Sequence, residues 1–357
     1  MPTRFAPKPQ GGAAALDRID EPLLVYLRSV TGETDLVYTG PPTRLSGGFD
    51  TTIYGFHLAA ASERLSIPFI VRIFRPEADP GQALFESNVQ NAAHRLGYPA
   101  PPVLFTCLET GVLGGTFLIM PRVSGRIMLD GMLGPGVLRS FRTLGTLHAQ
   151  LHDLDVAAFE ALTTNDGDAG WMQDWTTTDW MEEHIAAAAL DGLAPGLVWM
   201  REHEPPASPD RSVCHGDFHP INILMAGREV TGVIDWSLAR VGDPAWDVGA
   251  TAALMSQGPI DLPPILYGLI GRVRGWLVGR YLKAYAAKRP LDIERVRYFE
   301  AVRCLGFLID AGEYAQAAAG VIAPITRATA FGDVHVQQAI IRRFRQLSGV
   351  TLTLPTR

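Results

Sequence analysis

The sequence is poor in cysteine and contains no long apolar run. Its 357 residues include three cysteines, Cys107, Cys214 and Cys304, which lie far apart and match no metal-binding spacing. Such a sparse, odd number is typical of free thiols in a reducing compartment, so we predict a cytoplasmic protein. No apolar stretch is long enough to cross a bilayer, and the polar residues 1–12 do not resemble a signal peptide. The sequence therefore predicts no membrane partner.

Clusters of basic residues are also lacking. The formal net charge is −6, and no run of lysine and arginine is present that could contact a nucleic-acid backbone. Nucleic acid is therefore not expected as a partner. Apolar residues make up 47% of the chain and charged residues 19%, as in ordinary globular proteins. A chain of this length and composition can fill a large core, and its length suits two lobes.

The hydrophobic pattern changes near residue 125. Before this point four segments are predicted as strands, three with an alternating or β-branched composition and the fourth, residues 116–120, as a buried apolar run. One helix is predicted among them, from the N-cap pair Asp79-Pro80 to Gly97. After residue 125, apolar residues recur at helical spacing. We predict a flexible tail at residues 1–19, an N-terminal lobe at 20–122 and a C-terminal lobe at 123–357.

A dense set of polar residues is bracketed by two short apolar runs. Asp217 is followed by Asn222 five positions later and by Asp235 thirteen positions after that. Phosphoryl transfer from a nucleotide needs such a set. One carboxylate orients a hydroxyl and takes its proton, while an amide oxygen and a second carboxylate hold Mg²⁺. His215 is expected to hold the loop by hydrogen bonding. This segment predicts a kinase of a small molecule.

Residues 215–224, 232–236 and 242–247 resemble the motifs of the aminoglycoside phosphotransferase and choline kinase family. The resemblance implies an α+β, two-lobed protein-kinase-like fold, with a small β-rich N-terminal lobe, a larger, mainly α-helical C-terminal lobe and an active site in the cleft between them. It also implies a phosphotransferase with an alcohol group as acceptor, which uses ATP or GTP together with Mg²⁺. By this resemblance Asp217 is the catalytic base, and Asn222 and Asp235 are the magnesium ligands.

Two further stretches resemble parts of the family's nucleotide site. Residues 44–52 look like its glycine-rich turn, whose backbone N–H groups approach the phosphates. Residues 117–125 look like its hinge, where a backbone carbonyl and an N–H two residues later hold adenine. The proline in this stretch lacks an N–H but keeps its carbonyl, so it can supply the carbonyl that accepts a hydrogen bond from adenine. The residues implied are Ser46, Gly47 and Gly48 in the turn and Pro121 and Val123 in the hinge.

Arg72 takes the position at which these kinases usually carry a lysine that grips phosphate. Its planar guanidinium also suits phosphate, so the replacement is compatible with activity. Glu86, on the predicted helix that follows, would be its ion-pair partner. Whether Arg72 or its neighbour Arg75 grips the phosphate is left open by the sequence.

Residues 153–210 are strongly acidic and rich in tryptophan. They hold thirteen acidic side chains against one base, Arg201, and four of the seven tryptophans, Trp171, Trp175, Trp180 and Trp199. In the family this region helps to build the acceptor site. One interpretation is a cationic, hydroxylated acceptor such as an aminoglycoside-like or aminosugar-like compound, attracted by carboxylates and aromatic faces. The other is a solvated acidic helix face with tryptophans packed beneath it.

Two other functions fit parts of the sequence. His215, Asp217 and His219 could bind metal in a dinuclear hydrolase, although this explains neither Asn222 nor the hinge. The arginine at position 72 would also fit a catalytically silent nucleotide-binding protein. The partners predicted for the kinase are a nucleoside triphosphate and a small-molecule hydroxyl acceptor.

Two smaller motifs are assigned structural roles. His148 and His152 lie four apart on a predicted helix, but the sequence offers no third ligand nearby, so we predict packing and capping rather than metal binding. Asp243 and Asp247 match an acidic motif of the family, and we expect them to anchor the loop and the following helix.

Overall fold

The computed structural model describes residues 19–45, 51–132, 136–163, 177–258, 267–325 and 329–355. The predicted tail at residues 1–19 therefore lies almost entirely outside the described part. The chain divides into two compact units. The first comprises residues 1–126, 158–171 and 224–237, and the second comprises 127–157, 172–223 and 238–357.

The first unit is built on an antiparallel sheet with the strand order β1-β3-β4-β6-β5, in which β2 also pairs with β3. The long strands β3 and β4 are paired from Thr51 opposite Phe74 to His57 opposite Pro68. Their aromatic and β-branched composition favours this extended pairing. The strands are β1 (Val37–Tyr38), β2 (Thr43–Leu45), β3 (Thr51–Ala59), β4 (Pro68–Phe74), β5 (Phe105–Cys107) and β6 (Phe117–Pro121).

Side chains alternate between the two faces of β4, as expected for a strand. Phe69 and Val71 are buried on one face against helix α1 (Asp20–Thr31), through Leu23 and Leu27. Arg72 lies on the opposite face, over which helix α2 (Pro80–Arg95) packs. The Asp79 carboxylate caps α2 by accepting a hydrogen bond from the Gly81 N–H at 2.7 Å, as predicted for the start of this helix.

A second, three-stranded sheet has the order β10-β9-β7. The chain passes from the end of β10 directly into residues 234–237, which include Asp235. The Val233 N–H donates to the Pro99 carbonyl at 2.7 Å, and this bond fixes the end of β10. A short helix, α3, precedes β6. These elements are α3 (Thr110–Leu113), β7 (Arg126–Ile127), β9 (Ile223–Ala226) and β10 (Glu229–Val233).

The second unit is mainly helical, and α11 is its central helix. Helices α9 and α12 pack along α11, and α10 packs along α5. Strands β8 and β11 form a two-stranded antiparallel ladder. The elements are α4 (Met128–Met132), α5 (Val137–His152), α6 (Val156–Thr163), α7 (Thr178–Ala187), α8 (Ala194–His203), β8 (Ser212–Cys214), β11 (Arg240–Gly242), α9 (Pro244–Gln257), α10 (Tyr267–Ala286), α11 (Ile293–Ala318) and α12 (Val334–Ser348).

Two glycines bring pairs of these helices close together. A Cβ atom at Gly145 of α5 would lie 2.5 Å from the Tyr281 carbonyl oxygen of α10. A Cβ atom at Gly249 of α9 would lie 2.8 Å from the Val296 carbonyl oxygen of α11. Only glycine permits these contacts. The two close approaches bring α5 against α10 and α9 against α11.

Within the described residues, none of the helices combines the length and the apolar character needed to cross a membrane.

Candidate active site

The loop that follows β8 is held rigidly at its start. Gly216 has φ +80°, and a Cβ atom there would lie 2.5 Å from the Leu238 carbonyl oxygen, so the turn requires glycine. His215 is fully buried, and its Nδ1 accepts a hydrogen bond from the Asp217 N–H at 3.3 Å. The Asn222 N–H donates to the His219 carbonyl at 2.9 Å. These bonds fix the backbone on both sides of Asp217.

The two carboxylate oxygens of Asp217 have different surroundings. His219 accepts the Ile221 N–H at Nδ1, 3.3 Å away, so its proton is assigned to Nε2, which donates to Asp217 Oδ2 at 3.2 Å. Asn222 Nδ2 donates to the same Oδ2 at 3.0 Å and to the Asp217 carbonyl at 2.9 Å. Oδ1 has no hydrogen bond to the described residues, and its nearest charged neighbour is the Arg303 guanidinium at 3.7 Å. Oδ1 is therefore the oxygen that can receive a hydroxyl proton.

The Asp217 carboxyl remains ionised at neutral pH. Burial by itself would raise its pKa, but the electrostatic interaction and the hydrogen bond with His219, together with the nearby Arg303 and His215, hold this pKa well below its usual value. A carboxylate with a low pKa is a weak base, and its chemistry suits the orientation of a hydroxyl better than early removal of the proton.

Asp247 supports the loop from within the helical core. Its Oδ2 accepts the His215 N–H at 2.6 Å, and its Oδ1 accepts the Gly216 N–H at 2.9 Å. Oδ2 also receives Nε2 of His148 at 3.0 Å and Nε2 of His152 at 3.3 Å. All of these groups are buried. Asp247 thus joins the loop to α5, and the prediction that it anchors the loop is confirmed. Asp243 caps α9 at the Ala245 N–H, also as predicted.

The prediction that His148 and His152 have no third ligand nearby is wrong. Asp247 lies with them, and their ligand atoms are all within 4.8 Å of one another. Helix packing brings this residue close, which sequence spacing does not reveal. The ring nitrogens are nevertheless engaged, because Nδ1 of His148 bonds the Tyr281 hydroxyl at 2.7 Å and Nδ1 of His152 bonds the Tyr285 hydroxyl at 2.6 Å. Burial lowers the pKa of His152 to about 4, so this ring is neutral. These hydrogen bonds are sufficient to explain why the two histidines and Asp247 lie together.

Three predicted residues of the first unit lie together. Arg72 contacts Glu86 through Nη1, and its Nη2 lies 3.2 Å from Asp235 Oδ1. Its Nε donates to the Thr51 hydroxyl at 3.2 Å. Glu86 is fully buried, whereas the Asp235 side chain is 37% exposed and can therefore reach a ligand. Asp235 has φ +68°, in the left-handed region, and its Oδ1 accepts the Ser237 hydroxyl at 3.1 Å.

The ionisation state of Glu86 makes the charge of this cluster depend on pH. Burial raises its pKa to about 7, although the charge of Arg72 acts in the opposite direction. Because this folded-state pKa exceeds the unperturbed value of 4.5, ionisation of Glu86 costs folding free energy. That cost is present above about pH 7 and is relieved as the pH falls to 4.5.

We expect the KM for Mg-nucleotide to rise as the pH falls below about 7, because protonated Glu86 no longer holds Arg72 by charge. The measurement is nucleotide KM across this pH range for the wild type and for Glu86→Gln. The variant should have a raised KM at alkaline pH and no pH dependence near 7. Glu77→Gln, at an exposed position of the same unit, is the matched control. An unchanged pH profile in Glu86→Gln would contradict the assignment.

The other predicted nucleotide-binding residues are placed in part. Ser46, Gly47 and Gly48 lie outside the described residues, but the strands that flank them, β2 and β3, pair with Leu45 opposite Ile53. Pro121 is the last residue of β6 and pairs with Phe69 of β4. Val123 follows, and its side chain packs against Gly232 of β10.

The acidic segment shows little of an acceptor site in its described part. Trp180 stacks on His184 with 3.9 Å between ring centroids, and Trp199 stacks on Tyr298 at 5.7 Å. Both tryptophans therefore take part in packing. Trp171 and Trp175, with Asp166, Asp168 and Asp174, lie outside the described residues. The described carboxylates that face solvent are Asp153, Asp155, Asp179, Glu182, Glu183, Asp191, Glu202, Glu204 and Asp210.

One residue of this site was missed by the sequence reasoning. Arg303 comes from the middle of α11, in a segment where apolar residues dominate, and no short motif marks it. Its only signal was a charge inside an otherwise buried helix face, which becomes informative once the position of the helix is known.

The metal cluster of the alternative hydrolase is not assembled in the described residues. The group there with suitable ligand spacing is His148, His152 and Asp247 rather than His215, Asp217 and His219. Nδ1 of His215 is instead occupied by a backbone hydrogen bond.

Comparison with known sequences points to phosphoryl transfer. The model of the phosphotransferase enzyme family matches residues 42–290. Acyl-CoA dehydrogenase family member 11 from Pongo abelii is 33% identical over 193 residues, which are 51% of this chain and 24% of that protein. The chain thus spans about a quarter of the length of this curated relative.

Solved structures share the fold. A Ralstonia eutropha protein assigned as an aminoglycoside phosphotransferase has a TM-score of 0.60 and 19% identity, with 92% of this chain and 95% of that chain covered. Amicoumacin kinase hAmiN, solved with AMP-PNP, Ca²⁺ and Ami, has a TM-score of 0.55 and 13% identity, with 93% and 95% covered. At these identities the likeness establishes the fold, which is the α+β fold of protein-kinase-like phosphotransferases, as predicted.

Proposed function

The chain belongs to the phosphotransferase enzyme family, and from this premise we propose that it transfers the γ-phosphoryl group of ATP or GTP to a hydroxyl of a small molecule. The observation that carries the proposal is the Asp217 carboxylate. Two donors hold its Oδ2, and its Oδ1 is left for the acceptor hydroxyl. The hydroxyl oxygen attacks the γ-phosphorus as its proton passes to Oδ1, and the nucleoside diphosphate leaves.

The nucleotide is proposed to be held by residues of the first unit. Arg72, oriented by Glu86, grips a phosphate, and the backbone of Ser46, Gly47 and Gly48 covers the phosphates. The Pro121 carbonyl and the Val123 N–H hold the base. Arg72 rather than Arg75 is favoured for the phosphate because it already contacts Glu86 and Asp235. The boundary between the nucleotide-binding and acceptor-binding lobes at residues 122 and 123 stays a prediction.

Asn222 and Asp235 are proposed to hold Mg²⁺, and their chemistry fits this ion. Asn222 Nδ2 is occupied by Asp217, so the amide oxygen is turned away from these bonds, and oxygen is the ligand type that magnesium prefers. Asp235 adds a partly exposed carboxylate. When bound, the ion would neutralise charge on the phosphates.

We expect Asp235→Asn to raise the magnesium concentration needed for nucleotide binding, because the amide keeps an oxygen but loses the charge. The measurement is a magnesium titration of ATP binding at fixed nucleotide concentration. Asp35→Asn, at an exposed position of the same unit, is the matched control. Equal magnesium requirements in the variant and the wild type would remove Asp235 from the metal site.

Two classes of acceptor are candidates. The acidic segment favours a cationic, hydroxylated compound, and the kinase hAmiN, named for amicoumacin, shares the fold. The second class is a hydroxylated acyl compound. It is favoured by the 33% identity to part of a protein named as an acyl-CoA dehydrogenase, because a module joined to such an enzyme would act on a related molecule.

The proposed function is tested by nucleoside-diphosphate release with Mg-ATP and Mg-GTP. The acceptor panel contains aminosugars, amino-macrolides, choline-like alcohols, hydroxyacyl thioesters and neutral sugars, and chelation of magnesium is the control. Release that depends on an acceptor, with a mass gain of one phosphoryl group on it, supports the proposal. Binding of Mg-ATP without transfer to any acceptor would favour the silent nucleotide-binding protein instead.

A further inference from the structure

Helix α10 carries an exposed tryptophan within a basic stripe. Trp276 is 55% exposed, although tryptophan is usually largely buried. Arg272 and Arg280 lie one turn before and one turn after it on the same face of the helix, and Lys283 lies a further turn along. The helix contains no aspartate or glutamate, and none of the described carboxylates forms an ion pair with these three cations. These four residues, the basic stripe, therefore present an uncompensated positive charge around an apolar ring.

The opposite face of α10 holds the basic stripe at the surface of the second unit. Tyr281 and Tyr285 are fully buried there, and their hydroxyls bond two histidine rings of α5. These contacts fix the rotation of the helix about its axis, so Trp276 does not turn towards the core. The Arg280 guanidinium lies over the Trp276 ring, 5.9 Å from its centroid. Tryptophan and arginine side by side are the composition of a protein-binding surface.

A groove of opposite character lies beside α8 on the same unit. It has a volume of about 560 Å³, which is within the range of pockets that hold small molecules, so it admits an indole ring. Its apolar wall is open to solvent, since Val198 is 53% exposed. The residues that line it, the acidic groove, are Asp191, Ala194, Pro195, Val198, Trp199, Glu202 and Val350.

The charge of the acidic groove is the reverse of that of the basic stripe. Its lining holds two carboxylates and no base, and the other residues are apolar. Arg201, the one base of residues 153–210, is bonded to Glu182 at 2.6 Å. Outside residues 153–210, basic side chains outnumber acidic ones. One chain therefore carries both an acidic surface with an apolar hollow and a basic surface with an apolar ring.

We propose that the acidic groove of one copy binds the basic stripe of a second copy of this chain, with Trp276 in the groove and Arg280 beside Glu202. The apolar ring matches the apolar lining, and the cations match the carboxylates. A second copy is favoured over other partners because the complementary surface is present on this chain. Helix α10 packs on α5 and α9, whereas α8 packs on α7 and α11, so the two surfaces are separate. The contact is heterologous, and it closes into a dimer when each copy supplies both surfaces.

The first test is sedimentation velocity of the full chain over a range of protein concentrations. At an ionic strength of about 0.05 M, the average mass should rise above that of the monomer as the concentration increases. At about 0.5 M it should return to that of the monomer, because salt screens contacts between exposed charges. A chain that is monomeric at both ionic strengths, or an association that salt does not weaken, overturns the proposal.

The second test exchanges the charges of the two surfaces. Arg280→Glu and Glu202→Arg should each weaken self-association by about 10-fold or more, because each change brings like charges together. An equimolar mixture of the two variants should associate again, since the reversed stripe of one meets the reversed groove of the other. Arg228→Glu, at an exposed position of the first unit, is the matched control and should associate as the wild type does. Failure of the mixture to recover association overturns the proposal.

The third test removes the aromatic ring. Trp276→Ala should weaken self-association by about 10-fold or more, as expected for a tryptophan at the centre of an interface. The midpoint of thermal unfolding should stay that of the wild type, because the ring is exposed. Val334→Ala, at an exposed apolar position of α12, is the matched control. Equal association of Trp276→Ala and the wild type overturns the proposal.

An anionic membrane is the alternative partner for a tryptophan among arginines. It is tested by co-sedimentation with phosphatidylcholine vesicles that either contain or lack phosphatidylserine. Binding to the anionic vesicles alone, lost in Arg280→Glu, by a wild-type chain that does not self-associate would overturn the proposal of a second copy. Self-association without binding to either kind of vesicle supports it.

Discussion

Replacing Asp217 by asparagine is expected to lower kcat by about 10²–10⁴-fold while leaving Mg-nucleotide binding intact. The contacts at Oδ2 explain why even this conservative change is severe. His219 and Asn222 both donate there, so the single oxygen of the new amide must occupy that position. Its NH₂ group then replaces Oδ1. The proton acceptor is lost, and a donor faces both the hydroxyl and Arg303.

The measurement is steady-state release of nucleoside diphosphate with the preferred acceptor, together with a thermal shift on addition of Mg-ATP. Asp191→Asn, at an exposed position of the same unit, is the control and should behave as the wild type. Turnover of Asp217→Asn at the wild-type rate would show that Asp217 is not the base. Loss of the thermal shift would indicate instead that the nucleotide site is damaged.

The second large effect is expected for Asp247→Asn, which should reduce the free energy of unfolding by about 3–5 kcal/mol. Four nitrogen donors converge on this carboxylate, from the backbone of His215 and Gly216 and from the rings of His148 and His152. An amide must place its own donor against some of them, in a buried site where water cannot relieve the mismatch. The interactions with His148 and His152 outweigh burial and hold the pKa of Asp247 well below its usual value.

Urea unfolding followed by tryptophan fluorescence would measure this loss, with Asp191→Asn as the matched exposed control. Activity should fall in parallel, because the same carboxylate sets the position of the loop that carries Asp217. A variant with wild-type stability and lowered activity would mean that Asp247 acts on the loop alone. A variant unchanged in both would contradict the role assigned to the network.

The sequence was informative where function depends on short-range spacing. Asp217 and Asn222 are five residues apart, and one loop brings their side chains within 3.0 Å. The alternation of side chains along β4 predicted that Arg72 lies on the face opposite Val71. The apolar pattern of α2 predicted that this helix packs on the sheet with Glu86 close to Arg72. These contacts follow from local periodicity, which a sequence displays directly.

The contacts that the sequence did not reveal join residues that are far apart along the chain. Asp247 of α9 accepts from His148 and His152 of α5, which lie 99 and 95 positions away along the chain. Arg303 reaches Asp217 only because α11 packs along α9. Such pairings depend on the three-dimensional packing of apolar faces, and no spacing along the chain encodes them. The cationic acceptor inferred from the acidic segment stays a prediction.

The loop around Asp217 has a buried side and a partly exposed side, and the two are under different physical constraints. Asp247 holds the His215 and Gly216 amides from the protein interior, so mutations behind the loop are paid for in folding. His219 and Arg303 lie in front of it, where side chains still reach solvent. The two sides of the loop therefore divide the work: buried groups behind it hold its shape, and partly exposed groups in front of it are the ones that a bound molecule can reach.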